Sequence, residues 1–327
     1  MDSILAYALM AASAYQAARV RPVNRLSPPT TSGWVEAPEY YTRDGGFEAK
    51  AFRSGSGSDE RITIAFTGTD ELQDWTESNF PLLLNWGTTT LEKAVALYAR
   101  VVNDNPAAQI SFTGHSLGGG LAALMGVFFE SKAVTFDQAP FRASANESVR
   151  NTLLTGLDNF IATNPTVTDA GRTALQGIRA KLAAFSAQML PARESLVSDH
   201  SVVGEVLSVF PATAFGSRLG RTVEWIEHGS TGATFIDLHS ISLLAALKFE
   251  PFKQASIALP QLVALLFNPA LYSRPLAGDD PNLLDHLLRY QFGGPGVSAP
   301  SGMLTHFTTD MQRIGRAGSL AVTDLNF

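Results

Sequence analysis

Residues 109–129 read QISFTGHSLGGGLAALMGVFF, and they predict how the rest of the chain is arranged. At the start of this stretch Ile110 and Phe112 alternate with polar residues, as in a β-strand. After the G-x-S-x-G motif at residues 114–118, apolar residues recur at the spacing of a helix. The stretch therefore predicts a strand that meets a helix through a tight turn, with Ser116 in the turn.

The two glycines of the motif explain why such a turn forms. Without a side chain at Gly114 or Gly118, the strand and helix backbones can approach closely and present the Ser116 hydroxyl at the edge of a sheet. Ser116 also lies at the predicted helix N-terminus, where the helix dipole and the N–H groups favour developing negative charge. This context predicts that Ser116 is a nucleophile.

Two segments resemble one known family. The segment GHSLGGGLA, residues 114–122, resembles the nucleophile segment of the fungal-type (class 3) triacylglycerol lipases and their bacterial relatives, which belong to the α/β-hydrolase superfamily. Residues 64–75, IAFTGTDELQDW, resemble the oxyanion segment of that family, with Thr69 at the family's spacing and Thr67 where the family usually has Arg. The resemblance extends at low density over about residues 11–247.

The order of the predicted elements agrees with the α/β-hydrolase fold that this resemblance implies. Irregular chain over residues 21–38 precedes the first predicted strand. Strands are predicted before Ser116 and at residues 46–53, 62–66, 133–136 and 223–227. Strands that alternate with helices indicate a mostly parallel central sheet flanked by helices, with ligands at the carboxyl ends of the strands.

Residues 1–290 are predicted to form a single α/β-hydrolase (lipase-like) domain. Helices dominate an insertion at about residues 141–198, which is either a layer packed on the core or a cap over the site. Residues 291–327 form a linker-like C-terminal tail, rich in Gly and Pro at its start, which could lead to a further domain in a longer protein.

Composition excludes several classes of protein. A chain of 327 residues, of which 45% are hydrophobic and 17% charged, can bury a large core. A net charge of −6 with scattered Lys and Arg argues against nucleic-acid binding through bulk positive charge. Because Cys is absent, disulfides and thiolate metal sites are excluded. The absence of Cys fits a cytoplasmic protein and an exported one equally, so the compartment stays open between the cytoplasm and a signal-independent export route.

The apolar start of the chain superficially resembles a signal peptide. Its positively charged region is missing, and Asp2 stands in that place, so residues 1–19 are predicted to contain an amphipathic first helix instead. The most apolar later stretch, residues 257–272, is too short and too often interrupted to span a bilayer. No transmembrane segment is predicted.

A nucleophilic serine needs a base, and six histidines are available. The base is predicted to be His239, on a loop after the last strand where the family resemblance also places its histidine, with His228 as the alternative. His115, inside the elbow, is expected to be a packing residue. Solvated positions are expected for the remaining histidines, which are His200, His286 and His306.

The acid that orients the base is predicted to be Glu205, because residues 205–211 resemble the family's segment after the penultimate strand, with Glu in place of Asp. Asp199 and Asp137 are the alternatives. The oxyanion hole is expected at the N–H of Leu117, the residue after the nucleophile, together with Thr69, which the resemblance implies.

These residues predict a serine carboxylic-ester hydrolase without cofactor or metal, since no metal-ligand spacing and no nucleotide-binding motif occur. The resemblance implies a lipase that acts on acylglycerols through an acyl-enzyme, with peripheral contact at a lipid interface. The alternatives are a phospholipase A and a short-chain or polyester esterase. A hydrolase-fold scaffold that binds lipid or protein without turnover is the alternative from another class.

Overall fold

A seven-stranded, mostly parallel β-sheet flanked by helices organises the fold. The computed structural model describes residues 3–15, 20–68, 88–209, 217–225, 231–272, 283–290 and 303–317. The strands lie side by side in chain order. Their bounds are β1 Val35–Asp44, β2 Phe47–Ser54, β3 Arg61–Phe66, β4 Gln109–His115, β5 Ala133–Phe136, β6 Val197–Ser201 and β7 Arg221–Glu224.

Helices account for most of the remaining described residues. Their bounds are α1 Ile4–Ala14, α2 Thr88–Asp104, α3 Leu117–Phe129, α4 Glu147–Thr163, α5 Asp169–Ala183, α6 Leu190–Glu194, α7 Val206–Val209, α8 Phe235–Leu238, α9 Ile241–Ala246, α10 Glu250–Ala258, α11 Leu262–Leu266, α12 Leu283–Tyr290 and α13 Met303–Ala317. None of the described helices is long and apolar enough to cross a membrane.

The chain folds into two compact units, each assembled from separate parts of the sequence. Unit 1 contains Met1–Trp34, His200–Phe210 and Glu224–Phe327, and unit 2 contains Val35–Asp199 and Pro211–Val223. The single domain predicted over residues 1–290 stays a prediction. In the tail at 291–327, the structure describes helix α13, which packs on α11 and α12 within unit 1.

Unit 2 contains the sheet apart from the last residues of β6 and β7. β1, β2 and β3 are antiparallel neighbours, whereas β3, β4 and β5 run parallel, with Phe66 beside Gly114 and His115 beside Phe136. The carboxyl ends of these three parallel strands therefore meet at one edge of the sheet. The sequence missed β1, because a bulge between Ala37 and Thr42 breaks its alternation.

An aromatic cluster fastens two helices to the sheet of unit 2. The rings of Phe66 and Phe112 stack with centroids 6.1 Å apart. Tyr98 of α2 places its ring edge-on to Phe112 at 5.2 Å and to Phe129 of α3 at 4.7 Å. Burial raises the pKa of the Tyr98 hydroxyl to about 12, so it is neutral at physiological pH. Val95, Tyr98 and Val102 recur at helical spacing, which predicts one apolar face on α2, and all three are buried.

The predicted insertion packs beside α2 and α3 within unit 2. The Asn103 amide, at the end of α2, donates to Thr166 O at 3.3 Å and accepts from Thr168 N at 3.3 Å, just before α5. Arg193 of α6 donates to the carbonyls of Val127 and Phe128 at 3.0 and 2.9 Å. These carbonyls lie about 15 to 17 Å along α3 from its first residue, Leu117. Because α5 contacts the end of α2 and α6 contacts the end of α3 remote from Ser116, these contacts favour a layer packed on the core over a cap above the site.

Helix α1 forms as predicted in unit 1, but its expected amphipathic character is wrong. Residues 5–14 are all buried, including Ser13, and the helix packs on α9. The ring of Tyr7 also contacts the buried ring of Trp34, with centroids 6.5 Å apart. Because this helix is enclosed on all sides, it has no solvated face and is apolar all round.

Candidate active site

Ser116 occupies a strained turn between β4 and α3. Its backbone angles are φ 59° and ψ −127°, a conformation that non-glycine residues rarely adopt. Such strain persists only where the surrounding structure holds it, and it is found mostly at functional positions. The predicted strand, turn and helix are therefore present, and the residue in the turn is the serine.

The motif glycines are required by close backbone approach on both sides of the turn. A Cβ atom on Gly114 would lie 2.4 Å from the carbonyl of Gly118. On Gly118, a Cβ would lie 2.2 Å from the Phe66 oxygen and 2.6 Å from the carbonyl carbon of Thr67. The end of β3 thus passes directly against the first turn of α3, and any larger residue at either glycine would force these segments apart.

The segment after β3 was predicted to supply an oxyanion donor. Thr69 lies outside the described residues. Thr67 stands where the resembled family usually has Arg, and it binds the neighbouring strand instead. Its N–H and hydroxyl both donate to the Glu48 carbonyl, at 3.0 and 3.1 Å.

Backbone hydrogen bonds fix the Ser116 peptide from two directions. Its N–H donates to Phe136 O at 3.0 Å, and its carbonyl accepts from Ala139 N at 2.9 Å and from Gly120 N at 3.1 Å. The side chain is fully buried, and Ser116 Oγ has no hydrogen-bond partner among the described residues of unit 2. Leu117, the other predicted oxyanion residue, is the first residue of α3.

The structure brings together Glu205 and His239, both in unit 1. Glu205 Oε2 lies 2.6 Å from His239 Nδ1, and both residues are fully buried. An ionised carboxylate can only accept, so Nδ1 carries the proton of this bond and the neutral imidazole has its lone pair on Nε2. That tautomer is the one a general base needs. Ser116 belongs to unit 2, and His228 lies outside the described residues.

Both carboxylate oxygens of Glu205 accept further hydrogen bonds. The N–H of Leu207 donates to Oε2 at 2.7 Å, and the Ser208 hydroxyl donates to Oε1 at 2.8 Å. Hydrogen bonds to a charged acceptor are stronger than neutral ones, and they favour the ionised form. The carboxylate is therefore held in one orientation toward the imidazole.

The turn that carries His239 is tied to the N-terminal segment of unit 1. Thr234 and Asp237 form a capping box at α8, and Arg21 Nη1 donates to Asp237 Oδ1 at 2.8 Å. On the other side of His239, the Ser240 hydroxyl donates to Asn24 Oδ1 at 2.5 Å. Sequence reasoning missed Arg21 and Asn24, because more than two hundred positions separate them from the turn.

The alternative acids lie in unit 2. Asp199 of β6 is fully buried, and its Oδ1 accepts from Thr135 Oγ1 at 3.2 Å and from Gln138 N at 3.4 Å. Its Oδ2 lies 3.6 Å from Arg218 Nη1. Asp137 follows β5, is fully buried and has a positive φ of 41°. Glu205 hydrogen-bonds to the ring of His239 within unit 1.

His200 was predicted to be solvated, and that prediction is wrong. Only 2% of the residue is exposed, and its ring lies 5.8 Å from that of Trp225. Burial, and then the charge of Lys248, lower the pKa of His200 to about 4. The pKa of Lys248 is itself lowered to about 8 by burial and by Lys253. The side chains of His286 and His306 are not described, whereas His115 is buried as expected.

Two comparisons with known proteins relate part of the chain to phospholipases. Residues 6–160, slightly less than half of the chain, match a family model described as phospholipase-like, a Tle-like phospholipase domain. The chain is also 31% identical over 117 residues to an extracellular phospholipase A1 of Serratia liquefaciens, an alignment that covers 36% of this chain and 35% of that protein.

The chain thus spans about a third of the length of the curated relative that it matches. The family match ends before Glu205 and His239. Similarity specifically to the fungal-type triacylglycerol lipases stays a prediction. Part of the chain, which for the family model is residues 6–160 and includes Ser116, is similar to lipid-hydrolysing proteins of the lipase and phospholipase group.

Proposed function

We propose that the protein is a serine hydrolase of lipid carboxylic esters, with phospholipids as its substrates in a phospholipase A reaction. The sequence favoured acylglycerols and kept phospholipids as the alternative. Both comparisons favour that alternative, since both matches are phospholipases. The backbone conformation of Ser116 carries the proposal, because strain of this kind at a serine between strand and helix is the arrangement that presents a nucleophile.

In the proposed reaction Ser116 Oγ attacks the ester carbonyl carbon and its proton passes to His239 Nε2. Glu205 keeps the imidazole in the required tautomer and stabilises the imidazolium that forms. The carbonyl oxygen becomes an oxyanion, which accepts hydrogen bonds from the N–H of Leu117 and from Thr69. Donors of this kind typically contribute a factor of about 10² to 10³ each to turnover.

The second half of the reaction releases the products. His239 gives its proton to the leaving alcohol, which for a phospholipid is the lysophospholipid, and the acyl group remains on Ser116. A water molecule then attacks the acyl-enzyme while His239 takes one of its protons. The bond to Ser116 breaks, the proton returns to Ser116 Oγ, and a fatty acid is released.

The test is hydrolysis of mixed-chain phosphatidylcholine vesicles, with the released fatty acids identified by mass spectrometry. We expect the wild-type protein to release fatty acid, and Ser116→Ala to lose activity by a factor of about 10⁶, because the nucleophile is removed. Ser195→Ala is the matched control, since Ser195 is exposed and bonds only locally to Ala192 O at 2.6 Å. A fluorophosphonate probe should label the wild type and the control but not Ser116→Ala.

The chain length released identifies the position cleaved and separates phospholipase A1 from A2. Hydrolysis of triacylglycerol emulsions alone would return the assignment to a lipase, and hydrolysis of short p-nitrophenyl esters alone would indicate an esterase. Absence of both hydrolysis and labelling in folded wild-type protein would contradict the proposal and support a binding scaffold.

A further inference from the structure

We propose that Asp199 is a positioning residue that holds the Ser116 turn in its strained conformation, acting through the end of β5. The inference rests on the proposed function in one respect, which is that Ser116 is taken as the nucleophile. It assigns Asp199 a role different from that of the acid that orients His239.

Two strained residues lie at neighbouring strand ends in unit 2. Ser116 follows β4 with φ 59°, and Asp137 follows β5 with φ 41°. Two backbone hydrogen bonds connect these turns, from Ser116 N to Phe136 O and from Ala139 N to Ser116 O, at 3.0 and 2.9 Å. Because each strained backbone relaxes unless its surroundings hold it, the conformation of Ser116 depends on the conformation of the segment after β5.

Asp199 holds that segment from the neighbouring strand. Its Oδ1 accepts from the hydroxyl of Thr135 and from the N–H of Gln138, which lie on either side of the strained Asp137. The Gln138 side chain is held as well, because its Nε2 donates to Leu219 O at 2.7 Å. The segment is thus fixed by side chain and backbone together.

The fixed segment also packs directly against the nucleophile helix. A Cβ atom on Gly119, in the first turn of α3, would lie 3.0 Å from Gln138 Cβ. A shift of Gln138 would therefore reach Ser116 by two routes, through the backbone hydrogen bonds and through this contact.

The charge of Asp199 fits a positioning role better than a space-filling one. A fully buried carboxylate is costly unless it is paired and hydrogen-bonded, and an apolar side chain could fill the same volume. Arg218 supplies the opposite charge at 3.6 Å, from the segment that also carries the Leu219 carbonyl. The Asp199 carboxylate therefore connects β6 with the end of β5 and with residues 217–223.

The test compares Asp199→Asn with Asp158→Asn in the whole 327-residue chain. Asp158 is a matched control, because it also pairs with an arginine of unit 2, Arg179 at 2.6 Å, but on the surface. Asparagine keeps the side-chain shape and one acceptor oxygen, but it loses the charge that strengthens the bonds from Thr135 and Gln138 and pairs with Arg218. For Asp199→Asn we therefore expect kcat to fall about 10- to 100-fold, as a small displacement of a reacting group does. KM and the pH at which kcat/KM is half-maximal should stay unchanged, and Asp158→Asn should behave as wild type.

Hydrogen exchange provides a readout that does not depend on activity. The amides of Ser116 and Ala139 should exchange faster in Asp199→Asn than in wild type, since both belong to the connection between the two turns. If wild-type protein neither hydrolyses esters nor reacts with the probe, the proposed function fails, and faster exchange at these two amides would still support the positioning role.

Three results would overturn the inference. Unchanged exchange at Ser116 is one, whatever the activity. Unchanged kcat with only a lower melting temperature is the second, because it would show a purely structural role. A loss of about 10⁴ in kcat with an altered pH profile is the third, since that is the signature of the acid in the triad.

A second variant keeps the inference testable if Asp199→Asn does not fold. Thr135→Val removes one of the two donors to Asp199 Oδ1 and keeps the side-chain shape. It is judged by the same measurements of kcat, pH profile and hydrogen exchange.

Discussion

Glu205 holds His239, the base of the proposed reaction, in the required tautomer and orientation. The hydrogen bonds that its two oxygens accept include those from His239, Leu207 and Ser208. Replacement by an amide would keep the size of the side chain but remove the charge that stabilises an imidazolium, and its NH₂ group could force the opposite tautomer on His239.

We therefore expect Glu205→Gln to lower kcat by about 10⁴ with little change in melting temperature. Initial rates on phospholipid vesicles measure the loss. The control is Glu194→Gln. Glu194 pairs with Arg142 at 2.7 Å and belongs to unit 2, whereas His239 belongs to unit 1. Near-wild-type turnover in Glu205→Gln would transfer the role of the acid to Asp199 or Asp137.

His200 makes the stability of the protein depend on pH. Its pKa is about 4 in the folded protein against an ordinary value of 6.5, because burial disfavours the charged ring. Between these pH values the unfolded chain binds more protons, so the free energy of unfolding falls as the pH drops from 6.5 toward 4, by up to about 1.4 kcal/mol per pH unit.

His200→Phe removes this titration and keeps an aromatic ring beside Trp225. We expect the melting temperature of the wild type to fall more steeply than that of the variant between pH 6.5 and 4, as followed by circular dichroism. Above pH 7 the two curves should run parallel. Equal slopes across the acidic range would show that His200 is not buried in its neutral form.

At the scale of elements, Arg193 joins the carboxyl ends of two helices. It donates to the last turn of α3 through Val127 and Phe128 and, at 3.2 Å, to Lys181 O near the end of α5. Terminal carbonyls of a helix have no partner within the helix, and a positive charge there also interacts favourably with the helix dipole.

Arg193→Met should therefore lower the free energy of unfolding by at least about 2 kcal/mol, because buried carbonyls lose their donors. Urea unfolding monitored by circular dichroism gives the value. Arg179→Met provides the comparison, since the pair of Arg179 with Asp158 lies on the surface and contributes little to stability. A similar small loss in both variants would contradict the capping role of Arg193.

Elements with a regular local pattern were predictable, and those without one were not. The elbow and the buried face of α2 follow from glycine spacing and helical periodicity. β1 was missed because of its bulge. Helix α13 was also missed, although Phe307, Met311 and Ile314 are buried at helical spacing, so a readable signal was overlooked in that case.

At the scale of the whole molecule, pairing across long separations limited prediction. The pairing of Glu205 with His239 could be anticipated because a family resemblance supplied both positions. Nothing local indicates that Arg21 and Asn24 hold the turn of His239, or that Asp199 binds the peptide after β5. These contacts depend on the assembled units, and so does the burial that changed the interpretation of His200 and of α1.

The interleaving of the two units has a consequence for biosynthesis. Helix α1 packs on Trp34 and on α9, so the apolar surface that α9 covers stays open until residue 246 has been translated. At about 5–20 residues per second, the nascent chain leaves this surface uncovered for about 10 to 50 s. During that interval α1 is a binding site for chaperones and a risk for aggregation. Synonymous codons that slow translation between α1 and α9 should therefore reduce the soluble yield.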